Sequence, residues 1–583
     1  MGKGQRLGGA VVCVLLVAAM VTTVRTTAAG AADVDFTSLA PARILDTRTG
    51  IGGIAAKVGP GATVDATVTG TGGVPAGGVG AVVLNVTVTE PSSAGFLTVF
   101  PSGQPRPTAS NLNFVPGQDV PNLVVAKVGA GGKVSVFNSV GTTHVIFDVV
   151  GWFASTTGPT PVPVPVSSDP FTNGTSQHQT QVEADTFAAG NTIVSAFQSG
   201  RFTNGGASGI GWATSTDGGA TWRHGFLPAL TVHSTPAGPY DRASDPAVAF
   251  DPRHSTWLIS TLAMVGSRGA AVTVSRSADG LTWSAPVVVA STATGFFDKE
   301  WVVCDGHASS PHYGNCYVAF DDNGVGNLIL NSTSLDGGAS WGPALQTAGS
   351  AYGFATQPLV QPNGTVIVAV LDASASSLGA YRSLDGGQSW TGVTTVSPLS
   401  RHTVAGGLRA LPLPTAEMDA AGRFYLVWAD CRFATSCQAN DMVMSTSTDG
   451  ASWSAVTRIP IEASPGTVDH FIPGLAVDRS TSGATARLVL VYHYYPTPNC
   501  SFSTCELHVG SVSSSDGGAT WSAPTQLTAS AMSLSWLPST TQGYMVGDYI
   551  SASFVGTRAV TVFAIATAPD STFHQSMHAV ALP

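Results

Sequence analysis

Acidic side chains recur along this 583-residue chain at the starts of short apolar runs. Asp245, Asp298 with Lys299 and Glu300, Gln357, Glu417, Asp469 with His470, and Asp548 with Tyr549 each stand just before or at the start of such a run. Glu183 and Asp185 lie close to the comparable point in the first unit. For a chain with only 35 Asp and Glu this is a concentration that calls for a role. Carboxyls packed close together raise one another's pKa, which is what general acid–base work at a glycosidic bond requires. The same ring can hold Ca2+, or cap strand N–H groups and order water. On the catalytic reading Asp298, Glu300, Glu417 and Asp548 are candidate acid/base groups, and Tyr549 is a candidate nucleophile. Arg242, Asp245, Arg409, Asp430, Arg432, Asp469 and His470 are candidate ligand contacts, and neighbouring loops add Asp321, Asp322 and Asp372.

What must position these residues is a repeat. The turn Ser-x-Asp-(x)-Gly-x-Ser/Thr-Trp occurs six times, with its Asp at 217, 279, 336, 385, 449 and 516, 49 to 67 positions apart. Asp accepts backbone N–H bonds a few residues on, Gly supplies the positive φ, and Trp anchors the next strand. Three strand-like runs precede each turn and one follows, as in Ala247–Phe250, Trp257–Leu262, Ala271–Arg276 and Trp283–Ala290. That is one four-stranded propeller blade with the turn between its third and fourth strands. After the sixth turn three more runs remain, Tyr549–Phe554, Ala559–Ile565 and His578–Leu582. They predict a seventh blade, whose missing strand is expected from Asp169–Gln179. Seven blades are favoured over six.

These turns resemble the Asp-box, or bacterial neuraminidase repeat, of sialidase-like propellers, over roughly residues 175–583. Sialidases proper have six blades, and their boxes lie on the rim away from the active site. The resemblance implies three arginines on the sugar carboxylate, a Tyr nucleophile with a Glu partner, an Asp acid/base, and an Arg-Ile-Pro signature near the start of the propeller. Bidentate carboxylate binding suits the planar guanidinium fork. Here Arg-Ile-Pro occurs at Arg458-Ile459-Pro460, after the fifth turn, so the usual clamp is absent as a motif. Arg242, Arg409 and Arg432 are the available substitutes. Gly-x-Ser-x-Gly, His-Glu-x-x-His and phosphate-loop patterns are missing, which removes the corresponding hydrolase and nucleotide chemistries.

The chain is 43% hydrophobic and 10% charged, and carries net charge −10. It offers no basic stripe for nucleic acid. Lys3 and Arg6 precede an apolar core, Ala10–Met20, and small residues to Ala32. Residues 1–32 therefore read as a secretory signal peptide, and nothing later is long enough to span a membrane. The six later cysteines fall in close pairs, 304/316, 431/437 and 500/505, which in an exported protein argues for local disulfides. Residues 33–154 read as a β-sandwich-like module. Its strings Pro41–Arg48, Leu84–Thr89 and Ser110–Phe114 resemble a module found on secreted actinobacterial proteins. Asp46 and Arg48 in it read as a structural ion pair. Residues 155–168 read as a Pro-rich linker and 169–583 as the propeller. The expected partner is an extracellular glycan or cell-wall component, and the expected state is a monomer. Recognition and hydrolysis of a carbohydrate is the first reading of function, and a noncatalytic binding scaffold is the second.

Overall fold

The computed structural model describes residues 1–2, 36–76, 79–154 and 162–582, so the expected leader and the first half of the linker lie outside the described residues. The chain divides into two compact units, Met1–Pro159 and Thr160–Pro583. It is all-β, with an N-terminal sandwich and a seven-bladed propeller.

The sandwich is two four-stranded antiparallel sheets. One orders Phe36–Asp46, His144–Ala154, Val79–Thr89 and Val120–Lys127, and the other Thr63–Thr67, Lys133–Asn138, Gly95–Pro101 and Leu112–Phe114. Alternation sends Leu84, Val86, Val88, Leu97, Val136, Phe147 and Val149 into the core between them. Asp46 is buried and bonded by Arg48 and Arg43 at 2.8 and 3.1 Å. The Arg48 hydrogen bond, against a burial penalty, brings its carboxyl down to about 2. This pair fastens a strand end.

In the second unit the inner strands of the blades are Gln177–Ala189, Arg242–Asp251, Phe297–Cys304, Gly353–Val360, Thr415–Met418, Asp469–Val477 and Ser551–Val555. The first six each begin a four-stranded antiparallel blade, and in all six repeated turns the Ser Oγ accepts from a Gly N and the Asp Oδ1 from the Ser/Thr N. In the first, Ser215 Oγ accepts from Gly219 N at 2.8 Å and Asp217 Oδ1 from Thr221 N at 2.9 Å. Gly219 sits at φ 93°, which a side chain would resist. Blades pack face to face through large buried groups such as Trp428, Tyr425 and Tyr492, each worth roughly 2–3 kcal/mol by its apolar area.

The last blade has Ser551–Val555, Arg558–Thr567 and His574–Leu582, and its fourth strand is Val164–Pro165. Pro165 pairs with His578 and Val164 with Ala579. The expectation that Asp169–Gln179 would close the ring is therefore corrected. Asp169 is spent on a turn, accepting from Phe171 N and Gln179 N at 3.0 and 2.7 Å, and Gln177–Gln179 already belong to the first blade. Disulfides link Cys304 to Cys316, Cys431 to Cys437 and Cys500 to Cys505, as the spacing predicts. Among the described residues no helix is long and apolar enough to cross a membrane.

Removing residues 545–583 should strip the last blade and expose two strand edges, giving an aggregating product on size-exclusion chromatography. A truncated chain that stays monomeric with an unchanged melting curve would show that the ring does not need this blade.

Candidate functional site

The inner strands share an irregularity that alternation alone does not predict. In five blades the register slips at one place: between Val182 and Asp185, Ser244 and Ala247, Asp298 and Trp301, Phe354 and Gln357, and Phe471 and Pro473. Each slip contains a left-handed residue: Glu183 at φ 58°, Asp245 at 46°, Lys299 at 47°, Ala355 at 56° and Ile472 at 51°. Such bulges re-aim side chains, and non-glycine residues in this region cost about 1–3 kcal/mol each unless their surroundings hold them. Part of the holding comes from the next blade. Asp185 Oδ2 accepts from Val248 N at 2.7 Å, Gln357 bonds Ala416 N and O at 2.8 and 3.1 Å, and Thr415 Oγ1 accepts from Leu475 N at 3.1 Å.

The bulges bring ionisable groups from distant blades onto one cavity lined by Asp185, Asp245, Lys299, Glu300, Glu417 and Asp548, with Phe187, Trp301 and Tyr549 as its aromatic wall. Lys299 is the hub. Its ammonium donates to Asp245 at 3.1 Å and to Asp548 at 2.9 Å, and Arg409 clasps Asp548 with both prongs, Nε at 2.7 Å from Oδ1 and Nη2 on Oδ2. Burial would raise Asp548, but Arg409 and Lys299 outweigh it and hold the carboxyl far below its ordinary value. Burial would likewise lower Lys299, but Asp245 and Asp548 push it well above the usual ammonium range.

Other carboxyls at this end of the strands have raised pKa values and hold their protons more firmly than usual. Burial first, and the Asp245 charge second, raise Glu300 well above the usual range. Neither Glu300 oxygen has a hydrogen-bond partner among the described residues. Burial with Asp245 and Asp548 raises Glu183 to about 8, and Gln198 donates to its Oε2. Burial raises Asp185 to about 7 and Asp298 to about 6. Asp321, paired in register with Asp298, is raised well above its ordinary value by burial and by that neighbour.

Of the remaining candidates, Glu417 and Tyr549 line the cavity but are engaged within the fold, and the others are dispersed. Glu417 is not at the start of its strand but third of four residues, and pairs with Arg479 at 3.1 Å. Tyr549 does not present a free nucleophile: its hydroxyl donates to Pro246 O at 3.0 Å, its ring meets Trp301, and burial pushes its pKa well up. The three arginines do not converge. Arg242 bonds Asn204 and Gly205 O and stacks on Phe202, Arg409 is taken by Asp548, and Arg432 is bonded to Asp430 at 2.7 Å. Asp430 also accepts from Trp428 Nε1 and Ser400 N, and Asp322 and Asp372 cap their own turns. Asp469 accepts from Asn440, and His470 lies away from the cavity beside Asp441 and Glu462.

Sequence reasoning placed Lys299 beside the acids without assigning it the central part. The signal was present, since it is the sole lysine after Lys133. Arg201 was missed altogether. It is buried, donates to Gly206 O at 2.6 Å, and has its pKa lowered by burial.

No protein-family model matches this chain, and no curated protein does. Among solved structures it is similar to a protein of unknown function from Dyadobacter fermentans (15% identity, 58% of this chain and 94% of that one, TM-score 0.37). It is also similar to a PL25 polysaccharide lyase, an ulvan lyase (10% identity, 72% and 96%, TM-score 0.43). A third likeness is to the NanB sialidase from Streptococcus pneumoniae (13% identity, 90% and 98%, TM-score 0.36).

The protonation pattern sets a pH dependence. Glu183 is held neutral to about pH 8 in the fold, against an ordinary value of 4.5. Its raised pKa therefore contributes stability that is complete below the unfolded value and is lost as pH rises through the folded one. Thermal melts from about pH 5 to about pH 9 should fall with pH, and less steeply in Glu183→Gln; equal slopes would remove Glu183 from the account. Lys299→Met should cost about 3–5 kcal/mol in urea unfolding, because it strands the buried Asp245 and leaves Asp548 to Arg409 alone.

Proposed function

We propose that the axial cavity binds an extracellular carbohydrate and hydrolyses a glycosidic bond in it. The observation that carries this reading is a pair of carboxyls lining one cavity in opposed environments. Glu300 lines the cavity with both oxygens buried and unpartnered, an environment that favours its protonated form, and Asp548 is fixed by Arg409 and Lys299, which favour its ionised form. Environments that push two such groups apart assign acid and base roles. In this reading Glu300 gives its proton to the leaving oxygen as the glycosidic bond breaks, Asp548 with Asp245 stabilises the positive charge that develops on the sugar ring, and a water molecule adds to the ring carbon and returns a proton to Glu300. Phe187, Trp301 and Tyr549 supply apolar wall for the sugar, as binding pockets require alongside a few polar groups. Tyr549 serves as wall and not as nucleophile. The apolar leader and three disulfides support export.

A noncatalytic glycan-binding scaffold is the second reading. It is favoured by the internal satisfaction of Lys299, Arg409 and Tyr549, each of which already has its partner within the fold. Without a converging arginine clamp, turnover of sialic acid conjugates is expected to be weak or absent.

A glycan array followed by a hydrolysis screen of the hits tests both. The expected result is turnover of a hit that falls by about a hundredfold or more in Glu300→Gln while binding persists. Binding without turnover by the wild type would move the function to the scaffold. Strong sialidase activity abolished by Arg242→Ala, Arg409→Ala and Arg432→Ala alike would restore a displaced clamp.

A further inference from the structure

At the seam between the fifth and sixth blades lies a cluster that the axial cavity does not include. Asp441 opens the strand Asp441–Ser447 of the fifth blade, Glu462 lies just beyond its last strand Thr457–Arg458, and His470 is the second residue of Asp469–Val477 in the sixth. One ligand atom from each can be chosen so that all lie within 4.8 Å of one another. Arg458 donates to the outer oxygens, to Asp441 Oδ1 and Glu462 Oε1, both at 2.9 Å. The other oxygens, Asp441 Oδ2 and Glu462 Oε2, are buried without a hydrogen-bond partner, and the Asp441 side chain is only 2% exposed.

The tautomer of His470 sharpens the point. Its Nδ1 faces the carbonyl of Asn440 at 3.3 Å, and a carbonyl only accepts, so Nδ1 carries the hydrogen. Nε2 then turns a lone pair toward Glu462 Oε2, 3.3 Å away. Two lone pairs and the free Asp441 oxygen face one another, an arrangement that a cation between them would relieve. Ligands of a tetrahedral ion with bonds of about 2.0–2.2 Å stand about 3.3–3.6 Å apart, and the 3.3 Å from His470 to Glu462 falls at the short end of that range.

We infer that Asp441, Glu462 and His470 form a binding site for a divalent transition-metal ion of the zinc type. One imidazole nitrogen with two carboxylate oxygens suits zinc, whereas calcium takes oxygen ligands and more of them. The hydrogen bond from His470 Nδ1 to a backbone carbonyl, and those from Arg458 to the outer carboxylate oxygens, orient the donors in the way supporting partners of metal ligands do. Exposed residues 463 to 465 beside Glu462 leave a way in. The ion would tie the connection that leaves the fifth blade to the inner strand of the sixth, and so staple one seam of the ring. This site stands apart from the proposed hydrolysis.

The test uses the full chain, stripped with a chelator and titrated with Zn2+ by calorimetry, and with Co2+ by visible absorption. The expected result is one ion per chain, a rise in melting temperature on adding zinc, and cobalt bands that report nitrogen coordination. Affinity should fall at least tenfold in Glu462→Gln and in His470→Gln. Glu462 is the most exposed of the three, so its variant should keep the fold, which circular dichroism checks. Should the folded wild type bind no zinc, or should both variants bind it as tightly as the wild type, the site does not exist. A melting temperature indifferent to zinc and chelator, without cobalt bands, would show that a shared proton joins the carboxyls instead.

Discussion

The axis of the propeller depends on one ammonium group. Inner strands from seven blades converge there and carry more carboxyls than a dry interior tolerates. Lys299 lies between Asp245 of the second blade and Asp548 at the mouth of the last, while Arg409, from the connection into the fifth, completes the grip on Asp548. Blades far apart in sequence are thereby joined at the centre as well as at their rims. The closing strand is only two residues long, so the charge network supplies a second hold on the ring. The remaining acids respond to the same field. Burial with Asp245 and Asp548 raises Glu183, and burial with Asp245 raises Glu300.

The bulge explains why these residues meet at all. Its backbone recurs in five blades, yet its left-handed position is filled by Glu183, Asp245 and Lys299 in the first three and by Ala355 and Ile472 in the fourth and sixth. The apolar occupants show that the geometry does not demand charge. Charge at the first three copies is therefore a property added to the repeat, concentrated on one side of the ring. Strained positions filled by ionisable groups are where function is to be sought, because the strain has to be offset by contacts elsewhere.

Much of the fold was legible because its signals are local. Each of the six turns closes within a few residues, the cysteines pair within a dozen, and the alternation of each strand shows in the order of its own side chains. What was not legible is non-local or too short to carry a period. Lys299 finds its partners 54 and 249 residues away, and no spacing announces such a pairing. Val164–Pro165 lies in a stretch whose proline content argues for a spacer, and a strand of two residues has no alternation to read. Glu417 was misplaced for a related reason, since its inner strand is only four residues long and its start could not be aligned with the others.

Arg458 shows how far a motif's meaning depends on its place. In the sialidase resemblance an Arg-Ile-Pro string belongs near the start of the propeller and accompanies a carboxylate clamp. Here it follows the fifth turn, and its guanidinium does bind carboxylates, those of Asp441 and Glu462 within its own seam. The planar fork does the same physical work in both settings, matching two oxygens at fixed spacing. What differs is whether those oxygens belong to a ligand or to the protein. In this chain Arg409, Arg432 and Arg458 are each committed to internal carboxylates. At the axis Glu300 differs from these committed groups, since both of its oxygens are buried without a hydrogen-bond partner.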